Sequence, residues 1–337
     1  MKRYLILLTV MLIGVTSCEH KDLCYDHRDH AHRYHINVIA DYRLDWEECC
    51  GGIDWEESWP EDYLDYDGLR PTYPSGLRVV AYNTQGDYNI HNIKPMGGVV
   101  SLYEGVNDLL FYNNDTEYII FSRTGNGATT RATTRTRTRA TYEPSVYAKE
   151  GEPTLSPPDM LFANYIDNYY AEKVIDPVDI EVELQPLVFT YKIRYEFKSG
   201  LQYVAMARGA LSGMASAVFL NTGETSEESA TLLYDCEVTD YGVRAIVTSF
   251  GVPGYPNENY PTRADNQHAL NLEVLLRNGK TMNFNYDVTD QLKTQPHGGV
   301  IVIEDIVISD DDGKQGSGAF DVEVDDWGPY EDVPLPL

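Results

Sequence analysis

The sequence predicts an all-β protein of two tandem sandwiches behind a cleaved N-terminal signal, and three observations carry that expectation. Most of the chain reads as short runs of alternating, β-branched or aromatic residues separated by turn residues. Stretches with a helical period are scarce. The first 17 residues have the form of a secretory signal, and the roughly 320 that follow exceed the size at which a single core usually stops growing.

The signal reads "MKRYLILLTVMLIGVTS", with Lys2 and Arg3 as its positive start and an apolar run at 4–15 too short to stay as a spanning helix. It ends in "VTSC", which resembles the lipobox of bacterial lipoproteins, in which the cysteine is lipidated and becomes the mature N-terminus. Cys18 is therefore the expected lipidation site. Several acyl chains, each buried methylene contributing about 0.8 kcal/mol, would hold the protein on a membrane without a transmembrane helix. The remainder is expected to be soluble and extracytoplasmic.

The formal net charge of -27 becomes -29 once Lys2 and Arg3 leave, since no acidic residue precedes Cys18. That excludes nucleic acid and anionic lipid as partners of choice. Residues 18–33 form a polar tether rich in histidine. His27, His30, His32 and His35, with Asp26 and Asp29, could be read as a metal site, but they have neither i, i+4 spacing nor a common strand parity, so no metal and no cofactor is expected. Cys24, Cys49, Cys50 and Cys236 lack the CxxC spacing of a structural zinc site, and an oxidising compartment would allow disulfides among them whose pairing the sequence leaves open.

Strand patterns follow at 34–44, 76–83, 97–105, 108–122 and 178–197, and in the second half in "GVRAIVTSFG", "HALNLEVLLRNGKTMNFNYDVTDQL", "GGVIVIEDIVI" and "GAFDVEVDDW". "YNNDTE" (112–117) and "RNGK" (277–280) read as hairpin turns, because Asn, Asp and Gly accept left-handed backbone. The ambiguous stretch is 201–219. Proline in "GEPTLSPPDM" (151–160) and the restart of a strand after Pro177 place a domain boundary between 151 and 177. "TTRATTRTRTRAT" (129–141) carries Arg131, Arg135, Arg137 and Arg139 with nothing apolar larger than alanine, and so reads as an exposed loop that trypsin should nick first.

No nucleophile elbow, zinc-protease helix, P-loop or dinucleotide fingerprint occurs, so no catalytic residues are expected. Trp46 beside Glu47 and Glu48, and Asp325 and Asp326 beside Trp327, combine carboxylates with aromatic faces as sugar-binding surfaces do. Glycans are thus the alternative ligand. "SDDDGKQGSG" (309–318) lacks calcium-loop spacing and reads as an acidic turn.

The lipobox followed by "HKDLCYDH", then "GLRVVAYN", "LLFYNNDTEYIIF", "ARGALSGMASAVFLNTGE", "TSFGVPG", "LRNGKTMNFNYDVTDQL" and "FDVEVDDW", resembles a Bacteroidales lipoprotein family of unknown function similar to the fimbrillin anchor (FimB/Mfa-like) group. The resemblance covers nearly the whole mature chain. It implies two tandem transthyretin-like (Greek-key) β-sandwich domains, here at 34–170 and 171–337, and a protein lipid-anchored in the outer membrane, facing the cell exterior. It also implies a role at the base of a fimbria (pilus) or as its accessory, with fimbrial or pilin subunits as partners. The second domain would then face outward and offer the partner a groove or an unpaired strand edge.

Overall fold

The computed structural model describes residues 33–44, 70–140, 142–256, 267–314 and 330–333. Cys18, Cys24, Cys49, Cys50, His27, His30, His32, Trp46, Glu47, Glu48, Asp325, Asp326 and Trp327 lie outside the described residues, as does the strand expected around 320–324.

β1 (His35–Tyr42) buries Ile36, Val38, Ala40 and Tyr42 and turns the residues between them outward, the period of a strand with one face on a core. β2 (Leu77–Asn83), β3 (Tyr88–Ile93), β4 (Gly97–Ser101) and β5 (Gly105–Asn113) follow. Residues 114–161 then leave this sandwich and carry β6 (Ile119–Ser122), β7 (Arg131–Thr134), β8 (Thr136–Thr138) and β9 (Thr154–Leu155). β10 (Phe162–Ala171) and β11 (Val178–Pro186) return to complete it. One layer is β3-β2-β5-β10 and the other β11-β1-β4, joined at a corner through the pairs Phe162–Pro186 and Ala163–Gln185. Between the layers lies an aliphatic core with Val38, Val79, Phe111, Phe162 and Leu184.

The second half continues with β12 (Phe189–Ser199), β13 (Val204–Ala215), β14 (Ala217–Phe219), β15 (Ser229–Val238), β16 (Gly242–Ser249), β17 (Ala269–Leu276) and β18 (Thr281–Asp287). A short helix α1 (Thr289–Lys293), β19 (Gly299–Val307), α2 (Asp310–Lys314) and β20 (Glu331–Val333) end the described chain. Leaving β14 and β20 aside, these strands repeat the first arrangement in chain order. The layer β18-β17-β13-β15 matches β10-β5-β2-β3, and β16-β12-β19 matches β4-β1-β11. In each unit the first strand runs parallel to the last. They differ at the corner, which β10 and β11 close in the first unit and β15 and β16 in the second. Two Greek-key sandwiches in tandem result.

Three expectations change. The strand β11 belongs to the first sandwich, pairing with β1 from Ile36–Val178 to Tyr42–Leu184, so the crossing between units falls at Leu187 and Val188 rather than at 171. A Greek-key unit needs its last strand beside its first, and the prolines at 151–160 mark a connection inside the unit. The turn at 112–117 is no hairpin, because β5 pairs with β2 and β10 whereas β6 pairs with β7. The acidic stretch begins with α2, in which Lys280 reaches Asp312 and Lys314 reaches Asp310. The turn at 277–280 does join paired strands, β17 and β18, with Gly279 at φ 82°. The ambiguous 201–219 stretch is mostly β13 and β14.

Candidate functional site: an interdomain clamp

Residues 114–161 do not hang from the first sandwich. β7 is the middle of a three-stranded sheet whose other members are β6, from the same insertion, and β14, from the second unit. β9 runs parallel to β15, and β8 links β9 to β20. The insertion is therefore hydrogen-bonded into the second unit along two separate edges. Beneath it sits a third core in which Val80, Leu110 and Tyr112 from the outer face of the first sandwich meet Ala132 of the strap and Val218, Leu220 and Phe250 of the second unit.

The Arg/Thr segment follows from this position. Alternation along β7 buries Ala132 and Thr134 and leaves Arg131 and Thr133 half-buried, and β-branched threonine suits a pleated surface. Arg131, Arg137 and Arg139 then find partners across the clamp, and Arg135 finds one within the strap. Arg131 pairs with Glu228 at 3.3 Å; Arg135 lies 5.8 Å from the Tyr118 ring centre; Arg137 lies 4.5 Å from that of Tyr330 and donates to the Leu233 carbonyl at 3.4 Å. Arg139 is buried. Its Nη2 lies 3.2 Å from Oε2 of Glu273, while Nη2 of Arg208 donates to Oε1 of the same carboxylate at 2.8 Å. Arg208 and Glu273 are direct partners on β13 and β17, so the strap caps a cross-strand ion pair and makes it a triad. The expectation of an exposed loop at 129–141 is thereby corrected: Arg131 and Arg139 are countered by carboxylates far along the chain, Glu228 and Glu273.

Nearby, buried Tyr195 and Tyr234 share a hydrogen bond at 3.0 Å, and burial pushes both hydroxyls up. A Cβ on Gly209 would stand 2.3 Å from the Tyr234 ring, so the glycine makes room for it. Cys236, on β15, is a free thiol that burial and Asp235 push up. His35, the first residue of β1, sits 3.3 Å from Ser101 Oγ. Among the described residues no three His, Cys, Asp or Glu side chains gather as a metal site. In the second unit His297 stacks on Phe189 at 4.0 Å, and burial lowers both His297 and His268 to about 4. The outermost strands of the second sandwich are β18 and β19, each paired with one neighbour among the described residues.

Tandem Greek-key units locked by an inserted strap define the class of architecture to which this chain belongs. The chain belongs to the family described as Domain of unknown function (DUF5119), whose model matches residues 63–235 and thus spans the strap. It is similar to a Bacteroides ovatus protein named "Putative fimbrium anchoring subunit Fim4B", with 24% identity over 323 residues, 84% of this chain and 91% of the relative. Among solved structures it is similar to a "putative adhesin" from Bacteroides ovatus, with a TM-score of 0.58 and 20% identity, covering 87% of this chain and 98% of that one. A weaker likeness links it to the fimbrial anchor protein Mfa2 from Porphyromonas gingivalis, with a TM-score of 0.42 and 11% identity over 80% of this chain and 90% of the other.

Proposed function

We propose that this protein is a non-enzymatic fimbrial anchoring or adhesion subunit, held on the outer membrane by lipid on Cys18 and facing the cell exterior. The similarity to a fimbrium anchoring subunit over most of both chains carries this reading. The clamp supports it physically. An anchor must pass tension from a filament to a tether without its domains peeling apart, and a shared core plus strands exchanged between units resist that separation better than a bare linker. The tether enters the first unit at β1, so that unit lies nearer the membrane, and the second unit, with β18 and β19 at its edges, would receive a pilin strand.

The test is made in cells producing Cys18→Ser. Protein and fimbriae together in the culture supernatant, with normal signal removal, are the expected outcome. Fimbriae that stay cell-bound while the variant is released would defeat the anchoring role, and membrane retention of the variant would defeat lipidation at Cys18.

A further inference from the structure

The strap builds a partly open cavity that the clamp does not use. It has a volume of about 310 Å³, at the small end of ligand sites, and lies where residues 142–152 arch over β15. Its floor is polar and fixed. Glu152 Oε2 accepts from the Gly213 amide at 3.1 Å and from Thr231 Oγ1 at 2.9 Å, and Thr231, itself buried, accepts in turn from Ser212 Oγ at 2.9 Å. Its aromatic lining is Tyr142, whose ring centre lies 5.3 Å from the Arg139 guanidinium. Ala148 adds a small apolar wall, and Lys149 and Glu150 stand at the mouth.

We infer that this cavity binds one neutral pyranose unit of a glycan. A pyranose offers an apolar C–H face to a flat aromatic and small aliphatic wall, and hydroxyls that both donate and accept at its edge. The cavity supplies the matching set: carboxylate oxygens that accept, an ammonium that donates, and hydroxyls that do either. An anionic ligand is disfavoured, since Glu150 and Glu152 outnumber Lys149 and the whole chain is acidic. The site is independent of Cys18 and of any filament partner, so it stands or falls apart from the anchoring role.

The test uses the mature full-length protein and ligand-observed NMR. Probes are the methyl glycosides of glucose, galactose, mannose, fucose and N-acetylglucosamine, with n-butylammonium as a cationic comparator. At least one glycoside should saturate with a Kd on the order of 1 mM, a strength typical of a single small ligand. Ala148→Leu, which fills the cavity, should abolish saturation. The paired exposed changes Lys149→Gln and Glu150→Gln should weaken it about threefold or more, and they serve if Ala148→Leu fails to fold. Three results would overturn the inference: no glycoside saturates; a folded Ala148→Leu or the double mouth variant binds as well as the wild type; or n-butylammonium binds where the glycosides do not.

Discussion

Removing the carboxylate at the centre of the clamp should cost more than removing the arginine that the strap contributes. Glu273 is 1% exposed at its side chain, and the two guanidiniums facing it are 2% and 6% exposed, so the triad carries a net charge of +1 out of water. Glu273→Gln removes the carboxylate that both buried guanidiniums face, a loss of about 3–5 kcal/mol. Arg139→Met removes a close but poorly aligned partner, since Arg139 Nη2 makes no hydrogen bond, and leaves the well-aligned Arg208–Glu273 pair as a neutral unit. Its cost should be about 1–2 kcal/mol, part of it lost packing on Tyr142. Urea unfolding followed by circular dichroism at pH 7.5, where the buried histidines are neutral in both states, measures both. Equal losses for the two variants, or a Glu273→Gln loss under about 1 kcal/mol, would refute the view that charge balance at this carboxylate holds the strap.

The exchanged strands make the two sandwiches unfold together, so calorimetry should give a single transition whose van't Hoff and calorimetric enthalpies agree; two resolved transitions would mean the third core is weak. Trypsin should spare Arg131, Arg135, Arg137 and Arg139 in the native protein, and mass spectrometry of the first fragments decides this; an early cut at any of them would restore an exposed loop. His268 and His297 titrate near 4 in the fold against about 6.5 unfolded, so the unfolded state takes up protons first and stability falls as pH drops from 6.5 to 4. At pH 5 each should cost about 2 kcal/mol, and His268→Gln should halve the slope of the urea midpoint against pH; an unchanged slope would show that other groups drive it. Gly209→Ala places a methyl 2.3 Å from the Tyr234 ring and should lose about 1–3 kcal/mol, while a loss under about 0.5 kcal/mol would mean the ring moves freely.

What the sequence made legible was the local element, and what it hid was the partner. Alternation in 34–44 names a strand directly, because one face of β1 is on a core; the β-branched and apolar run in 76–83 names β2, whose two faces are both buried; and Asn278-Gly279 names a hairpin because its turn chemistry is confined to four residues. The same alternation says nothing about which strand lies alongside. β5 and β6 are separated by a plain turn sequence and yet enter different sheets, and β11 and β12 are separated by two residues and enter different sandwiches. The small residues of 204–217 blurred the helical and extended readings, since Gly209 yields space to Tyr234 and offers its carbonyl to Arg139 of the strap. The arginine run misled for a related reason. A guanidinium looks solvated until its counter-charge is known, and Glu228 and Glu273 lie far along the chain, on β-strands or loops whose proximity depends on the whole topology. A period-two reading of "RATTRTRTR" already set Ala132 and Thr134 on one face and the arginines on the other. An alternating segment with every cation on one face is thus as compatible with a strand between two acidic neighbours as with a loop, and in a chain of net charge -27 such neighbours are plentiful.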